Sequence, residues 1–194
     1  MQGKFHGMTE QHQFKTATEA LMSDHRTIEK VLTLVEKLVA GSVEVSLETW
    51  GKTVDFIRNF ADKCHHLKEE KVLFPFLETK GIPRDGGPIG MMLLEHEEGR
   101  AYVRAMAEAL SRGGEDPDAT KGVLIENAGA YLRMLKQHIM KEDEVLFPMA
   151  DEALSDEEQK MLLREFEEHE AREIGAGVHE KYAKTAQELE SLAR

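Results

Sequence analysis

Two short stretches carry the same metal-binding residue types in the same order: His65-His-Leu-Lys-Glu69-Glu-Lys-Val-Leu-Phe-Pro75 and His138-Ile-Met-Lys-Glu142-Asp-Glu-Val-Leu-Phe-Pro148. In both, a His and a Glu four residues apart share one face of any helix that contains them. Upstream of each lies one more His directly behind an acid, Asp24-His25 and Glu95-His96. Neutral imidazoles with carboxylates suit iron, manganese or zinc, and a carboxylate has two oxygens with which to bridge a pair of metals. Cys64 is the only cysteine, which excludes a thiolate zinc site and an iron–sulfur cluster held by cysteines. No His-Glu-x-x-His zinc hydrolase signature occurs. No His has a Glu three positions before it, as ferritin-like bundles require.

These residues must be brought together by helices. Apolar residues recur at helical spacing, aromatics are only 6%, and β-branched runs are short. The spacing predicts a helix from Thr16 to Ala40 with the stripe Leu21, His25, Ile28, Leu32, Val35, Val39. A second is expected from Ser46 to Thr79, with Ile57, Ala61, His65, Glu69, Val72 and Phe76. A third is expected from Pro88 to Ser111, with Ile89, Leu93, His96, Arg100, Val103, Ala107 and Leu110. The fourth, from Pro117 to Ala153, carries Ala128, Tyr131, Leu135, His138, Glu142, Val145 and Met149. Gly and Pro at the junctions stop each helix. Ser155-Asp-Glu-Glu opens a further helix as a capping box, and Gly175 and Gly177 break the region that follows. The expected architecture is all-α: an antiparallel four-helix bundle over 16–153, a flexible N-terminal segment over 1–15, and a C-terminal helical extension over 154–194 packed on the bundle.

The two halves also keep step. From His25 to His65 is 40 residues and from His96 to His138 is 42, which implies a pair of pseudo-symmetric hairpins. At 1.5 Å per residue, the helix after His25 covers roughly 22 Å and that before His65 roughly 29 Å, so each pair meets at comparable depth. One His on an apolar stripe is most simply a satisfied core residue. Four on four stripes, two of them with a paired Glu, point to metal. Burying two carboxylates among them without compensation costs several kcal/mol each, roughly, and Arg100 is the only cation on the stripes.

His25, His65-x-x-x-Glu69, His96 and His138-x-x-x-Glu142, with the doubled Leu-Phe-Pro, resemble the hemerythrin-like (HHE cation-binding) family over about residues 16 to 153. The resemblance implies a non-haem di-iron centre: two iron ions, with His25, His65, His96 and His138 as terminal ligands and Glu69 and Glu142 as bridging carboxylates. Oxygen-carrying hemerythrins supply H-x-x-x-H from the third helix. Here Arg100 stands four residues after His96 and Met92 four before it, so one family ligand is missing. Fewer imidazoles imply an open or water-filled coordination position, which favours reactivity over reversible storage.

The expected function is binding of, or reaction with, O2, NO or H2O2 at that open iron. The alternative is an iron- or oxygen-responsive regulatory module without turnover, in which occupancy sets stability. Some family members repair iron–sulfur clusters, but the forms with that role carry a Cys-bearing N-terminal module, and no Cys precedes Thr16. A net charge of -12 repels phosphate backbones, so neither nucleic acid nor anionic membrane is an expected partner. The longest apolar stretch, Pro88 to Leu94, falls far short of the roughly 20 residues of a spanning helix. Met1 to Gln13 is polar and opens no signal peptide, so a cytoplasmic location is expected. The C-terminal extension either covers one end of the bundle or forms a homodimer contact.

Of the remaining candidates, His66 and Glu70 repeat the H-x-x-x-E spacing but align with Ile139 and Asp143, one position off the stripe. A role around the ligands or on the surface is expected for them. Glu29, four residues after His25, is expected in a charge pair with Arg100 or, less simply, as an extra ligand. Cys64 is expected as a buried thiol, His169 and His179 in packing or surface roles, and His6 and His12 are assigned nothing.

Overall fold

The computed structural model describes residues 14–113, 116–175 and 177–194. Most of the expected segment 1–15, with His6 and His12, lies outside the described residues. Helix α1 (Ala17–Val39) starts where the Thr16 hydroxyl accepts the Glu19 N–H, and the chain turns off at Gly41, whose φ of 67° suits glycine. The second rod runs through α2 (Leu47–Phe56), two wide-turned segments, π1 (Ile57–His66) and π2 (Glu69–Leu73), and α3 (Phe74–Thr79). Helix α4 (Pro88–Ser111) is the third rod. The fourth joins α5 (Pro117–Lys141), a third wide-turned segment π3 (Glu142–Leu146), and α6 (Phe147–Ala153). Gly87 before α4 is forced by space, because a Cβ there would sit 2.2 Å from the Pro83 carbonyl oxygen.

Beyond the fourth rod come α7 (Asp156–Glu173), opened by the reciprocal Ser155–Glu158 capping box, and α8 (Val178–Ser191). Both pack on α1, and α7 also reaches π2. The Gln159 side chain ties α7 down, accepting the Ala17 N–H at 2.9 Å and donating to Asp151 at 2.9 Å. Among the described residues there is no strand, and no helix is long and apolar enough to cross a membrane.

The expected helix ends hold to within a residue or two; the turn type inside the second and fourth rods was not anticipated. In π2 and π3 the ladder returns five residues: Phe74 N–H donates to the Glu69 carbonyl and Phe147 N–H to that of Glu142. Pro75 and Pro148 follow directly, and having no N–H they cost the ladder nothing where it changes step. The extra residue per turn slips the buried face by one. Val145 and Met149, expected on the stripe, are therefore exposed, while Leu146, Phe147 and Ala150 are buried in their place. In the second rod Leu77 is buried and Phe76 only partly so.

Two separate apolar clusters fill the interior. One gathers Leu32, Val35, Phe56, Phe60, Val103, Leu135 and Leu189. The other, at the opposite end of the rods, gathers Leu21, Leu73, Phe74, Ile89, Phe147 and Phe166. Each fully buried Leu or Phe contributes about 1.5–3 kcal/mol. Between the clusters lies a layer of His and Glu.

Candidate metal centre

Each rod delivers its polar residue to that layer. His25 comes from α1, His65 from π1, Glu69 from the start of π2, His96 from α4, His138 from the end of α5, and Glu142 from the start of π3. All six are 0–1% exposed. The imidazoles form two pairs, with His25 Nε2 2.9 Å from His65 Nε2 and His96 Nε2 3.2 Å from His138 Nε2. The two carboxylates run between the pairs. Glu69 places one oxygen 3.6 Å from His65 and the other 3.4 Å from His96. Glu142 places its oxygens 3.2 Å from His25 and 3.3 Å from His138.

An outer ring of acids faces the far nitrogens. His25 Nδ1 is 2.6 Å from Asp143, His96 Nδ1 2.8 Å from Glu70, His138 Nδ1 2.9 Å from Glu95, and His65 Nδ1 3.7 Å from Asp24. Behind each acid stands a cation: Arg26 at Asp143, Arg100 at Glu70, Lys141 at Glu95, and Lys68 at Asp24. Asp24 and Glu95 thus orient the partner His of their own hairpin rather than the His that follows them in sequence. Asp143 and Glu70 reach across to the other hairpin's neighbour, His25 and His96.

At His25, His96 and His138 this arrangement favours the N–H on Nδ1 and turns the Nε2 lone pairs inward. Bare acceptors then face one another and four carboxylate oxygens. All four oxygens of Glu69 and Glu142 are buried without a hydrogen-bond partner, an arrangement that a protein interior tolerates only with compensation. Burial and the charge of Glu142 push the Glu69 carboxyl well above its usual range. Burial also opposes the charge on Glu142, but His138 and His25 outweigh it and hold that carboxyl low. Burial opposes the charge on His25 as well, yet Asp143 and Glu142 raise it to about 9. Burial and the neighbouring His25 lower His65 to about 4. The donor set fits a pair of divalent cations, and two groups drawn from these six residues each converge within 4.8 Å: His25, His65, Glu69, Glu142 and Glu69, His96, His138, Glu142.

The peripheral expectations divide. Glu70 and Asp143 lie around the ligands, in the outer ring. Arg100 does pair, but with Glu70, Asp62 and Glu97 rather than with Glu29. Glu29 is on the outside beside Arg26 at 3.3 Å, its side chain 42% exposed, because position 29 falls one step round α1 from the stripe. Cys64 is buried, and burial raises its thiol to about 12, so it stays protonated at neutral pH. His179 Nε2 donates to Asp24 Oδ1 (2.8 Å), and His169 is buried beside Arg172. Of the two places expected for His66, around the ligands or on the surface, the structure gives the first. This residue is 4% exposed and stacks on His96 with ring centroids 3.9 Å apart. Its H-x-x-x-E spacing with Glu70 is the signal in the sequence, and periodicity at 3.6 residues sets it off the stripe because it does not register the wide-turned helix.

The model of the hemerythrin HHE cation binding domain matches residues 16–150. An uncharacterised protein of Mycobacterium tuberculosis and one of Mycobacterium bovis are each 27% identical over 182 residues, 91% of this chain and 70% of the relative. An iron-sulfur cluster repair protein of Salmonella schwarzengrund is 33% identical over 89 residues, 44% of this chain and 40% of its own. No solved structure matches significantly.

Proposed function

The chain belongs to the hemerythrin HHE cation binding domain family, and from that premise we propose that it holds two iron ions and binds or reacts with O2, NO or H2O2 between the rods. His25, His65, His96 and His138 would be the terminal ligands, and Glu69 and Glu142 would bridge. The observation that carries this reading is the set of four partnerless carboxylate oxygens facing four imidazoles at the waist of the bundle. Iron bound there would supply electrons and an open coordination position to a small ligand. The chain's own residues do the rest. The outer acids hold the rings of His25, His96 and His138 in one tautomer and orientation, and the two apolar clusters would keep water from the layer.

Metal analysis with an optical spectrum, taken anaerobically and then after O2 or NO, tests the proposal. Two irons per chain and a spectrum that responds to a gas are expected; fewer than two metals overturns the site. The match to the iron-sulfur cluster repair protein spans too little of either chain to carry that activity over.

A second reading, an iron-responsive module, draws support from the C-terminal helices. Lys68 bridges Asp24 at 3.2 Å and Glu170 of α7 at 2.9 Å, and His179 of α8 contacts Asp24 at 2.8 Å. The acid behind His65 is thus held by the extension, so on this reading occupancy would be linked to docking of α7 and α8. A spectrum unchanged by every gas, with iron-dependent protection of α7 and α8 from proteolysis, would favour this reading over turnover.

A further inference from the structure

We propose that His66 is a fifth imidazole of the metal pair, ligating the cation held by His96 and His138 in place of the imidazole that the third rod lacks at Arg100. The proposal rests on the di-iron reading above.

Both ring nitrogens of His66 are buried without a hydrogen-bond partner, a condition that costs about 1–3 kcal/mol for a polar group left unsatisfied. A ring nitrogen of His66 lies with those of His96 and His138 in a group whose ligand atoms are all within 4.8 Å of one another. The outer surroundings of His66 follow the pattern of the other four rings. Its Nδ1 faces Asp62 Oδ1 at 3.5 Å, and Asp62 is held by Arg100 at 2.8 and 2.7 Å. Acid behind imidazole and cation behind acid is the arrangement found at His25, His65, His96 and His138.

Arg100 explains how the exchange arises. A guanidinium cannot ligate a cation, and here it turns to Asp62, Glu70 and Glu97, all outside the layer. In doing so it orients the acids behind two neighbouring rings, His66 and His96, which stack with only 13° between their planes. The wide turns of π1 bring adjacent residues, His65 and His66, into the same layer. The second half has Ile139 at the matching position, buried and apolar. Five imidazoles therefore divide unequally, three on the His96–His138 side and two on the other. The position open to an exogenous ligand then falls at the His25–His65 cation.

The test uses the full chain loaded with Fe(II) or, for spectroscopy, Co(II), as wild type, His66→Ala and His66→Gln. Each ligating ring keeps its Nδ1–H, so paramagnetic NMR of the Co(II) form should show five shifted, exchangeable imidazole N–H signals in wild type and four in either variant. Changes around a ligand cost about 10–100-fold in affinity, so loss of a ligand should speed iron release to a chelator by at least about 100-fold. Added free imidazole should slow release again in His66→Ala, whereas a merely packed ring would not be rescued. His66→Gln keeps the bulk should the Ala variant fail to fold. Five signals remaining in the variants, whatever the release rate, would overturn the proposal and leave the di-iron reading standing. A wild type that binds fewer than two irons would remove both.

Discussion

Residues 65–75 and 138–148 spell nearly the same motif, yet the first lies under the C-terminal helices and the second faces solvent. Val72 is 8% exposed and its counterpart Val145 51%. The lysine behind the Asp24–His65 pair, Lys68, has an 8% exposed side chain, whereas Lys141, behind Glu95–His138, is 33% exposed. What the halves share is the imidazole, the carboxylate four residues on, the acid behind each ring and the Leu-Phe-Pro that ends the wide turn. On the proposed di-iron reading, those are the requirements of the centre itself. What differs at Val72 and Val145 follows from the C-terminal cover, which reaches the first half at Glu69–Leu73.

The comparison breaks most completely at the shared residues. Glu69→Gln and Glu142→Gln should each abolish the two-iron state, because neither half can bridge alone; full iron content in both variants by metal analysis would refute bridging. The halves should then diverge at the lysines. Lys68→Met leaves the buried Asp24 with His179 as its remaining hydrogen-bond partner and should destabilise the chain by about 3–4 kcal/mol in denaturant unfolding. Lys141→Met, at a wetter pair, should cost only about 0–1 kcal/mol. Equal losses would mean that the C-terminal cover does not matter.

A pH series sharpens the contrast on the Arg100 side. Burial opposes the charge on Asp62, but His66 and Arg100 outweigh it and lower its carboxyl from 3.8 to about 2. A depressed carboxyl adds stability above its unfolded value and loses it as pH falls through the folded one. Metal-free protein should therefore lose about 2 kcal/mol from this group between pH about 4 and about 2. Asp62→Asn should lack that acid-labile component, as urea midpoints at each pH would reveal. The smallest effect is expected at Glu29→Gln, which should leave iron content unchanged because the side chain faces outward.

The four rods, their ends and the convergence of the four stripe histidines were legible in the sequence, since caps, Gly and Pro act locally and periodicity survives most of each rod. The failures share one cause. Once the ladder returns five residues instead of four, a stripe drawn at 3.6 residues per turn drifts, which put Val145 and Met149 inside and His66 one position off the stripe. The pairing of acids with rings was also hidden: Asp24 and Glu95 precede a His in sequence but serve a different one in space. Only the packing of one rod on another decides that.

The division of the apolar interior into two clusters, with the His and Glu layer between them, has a consequence for cooperativity. Without cations the waist contributes repulsion and desolvation, so the ends are weakly coupled and can open separately. Amide hydrogens of 65–69 and 138–142 should then exchange fastest among the buried helices. Two divalent ions would rivet the ends together, and the chain would melt as one unit in place of two.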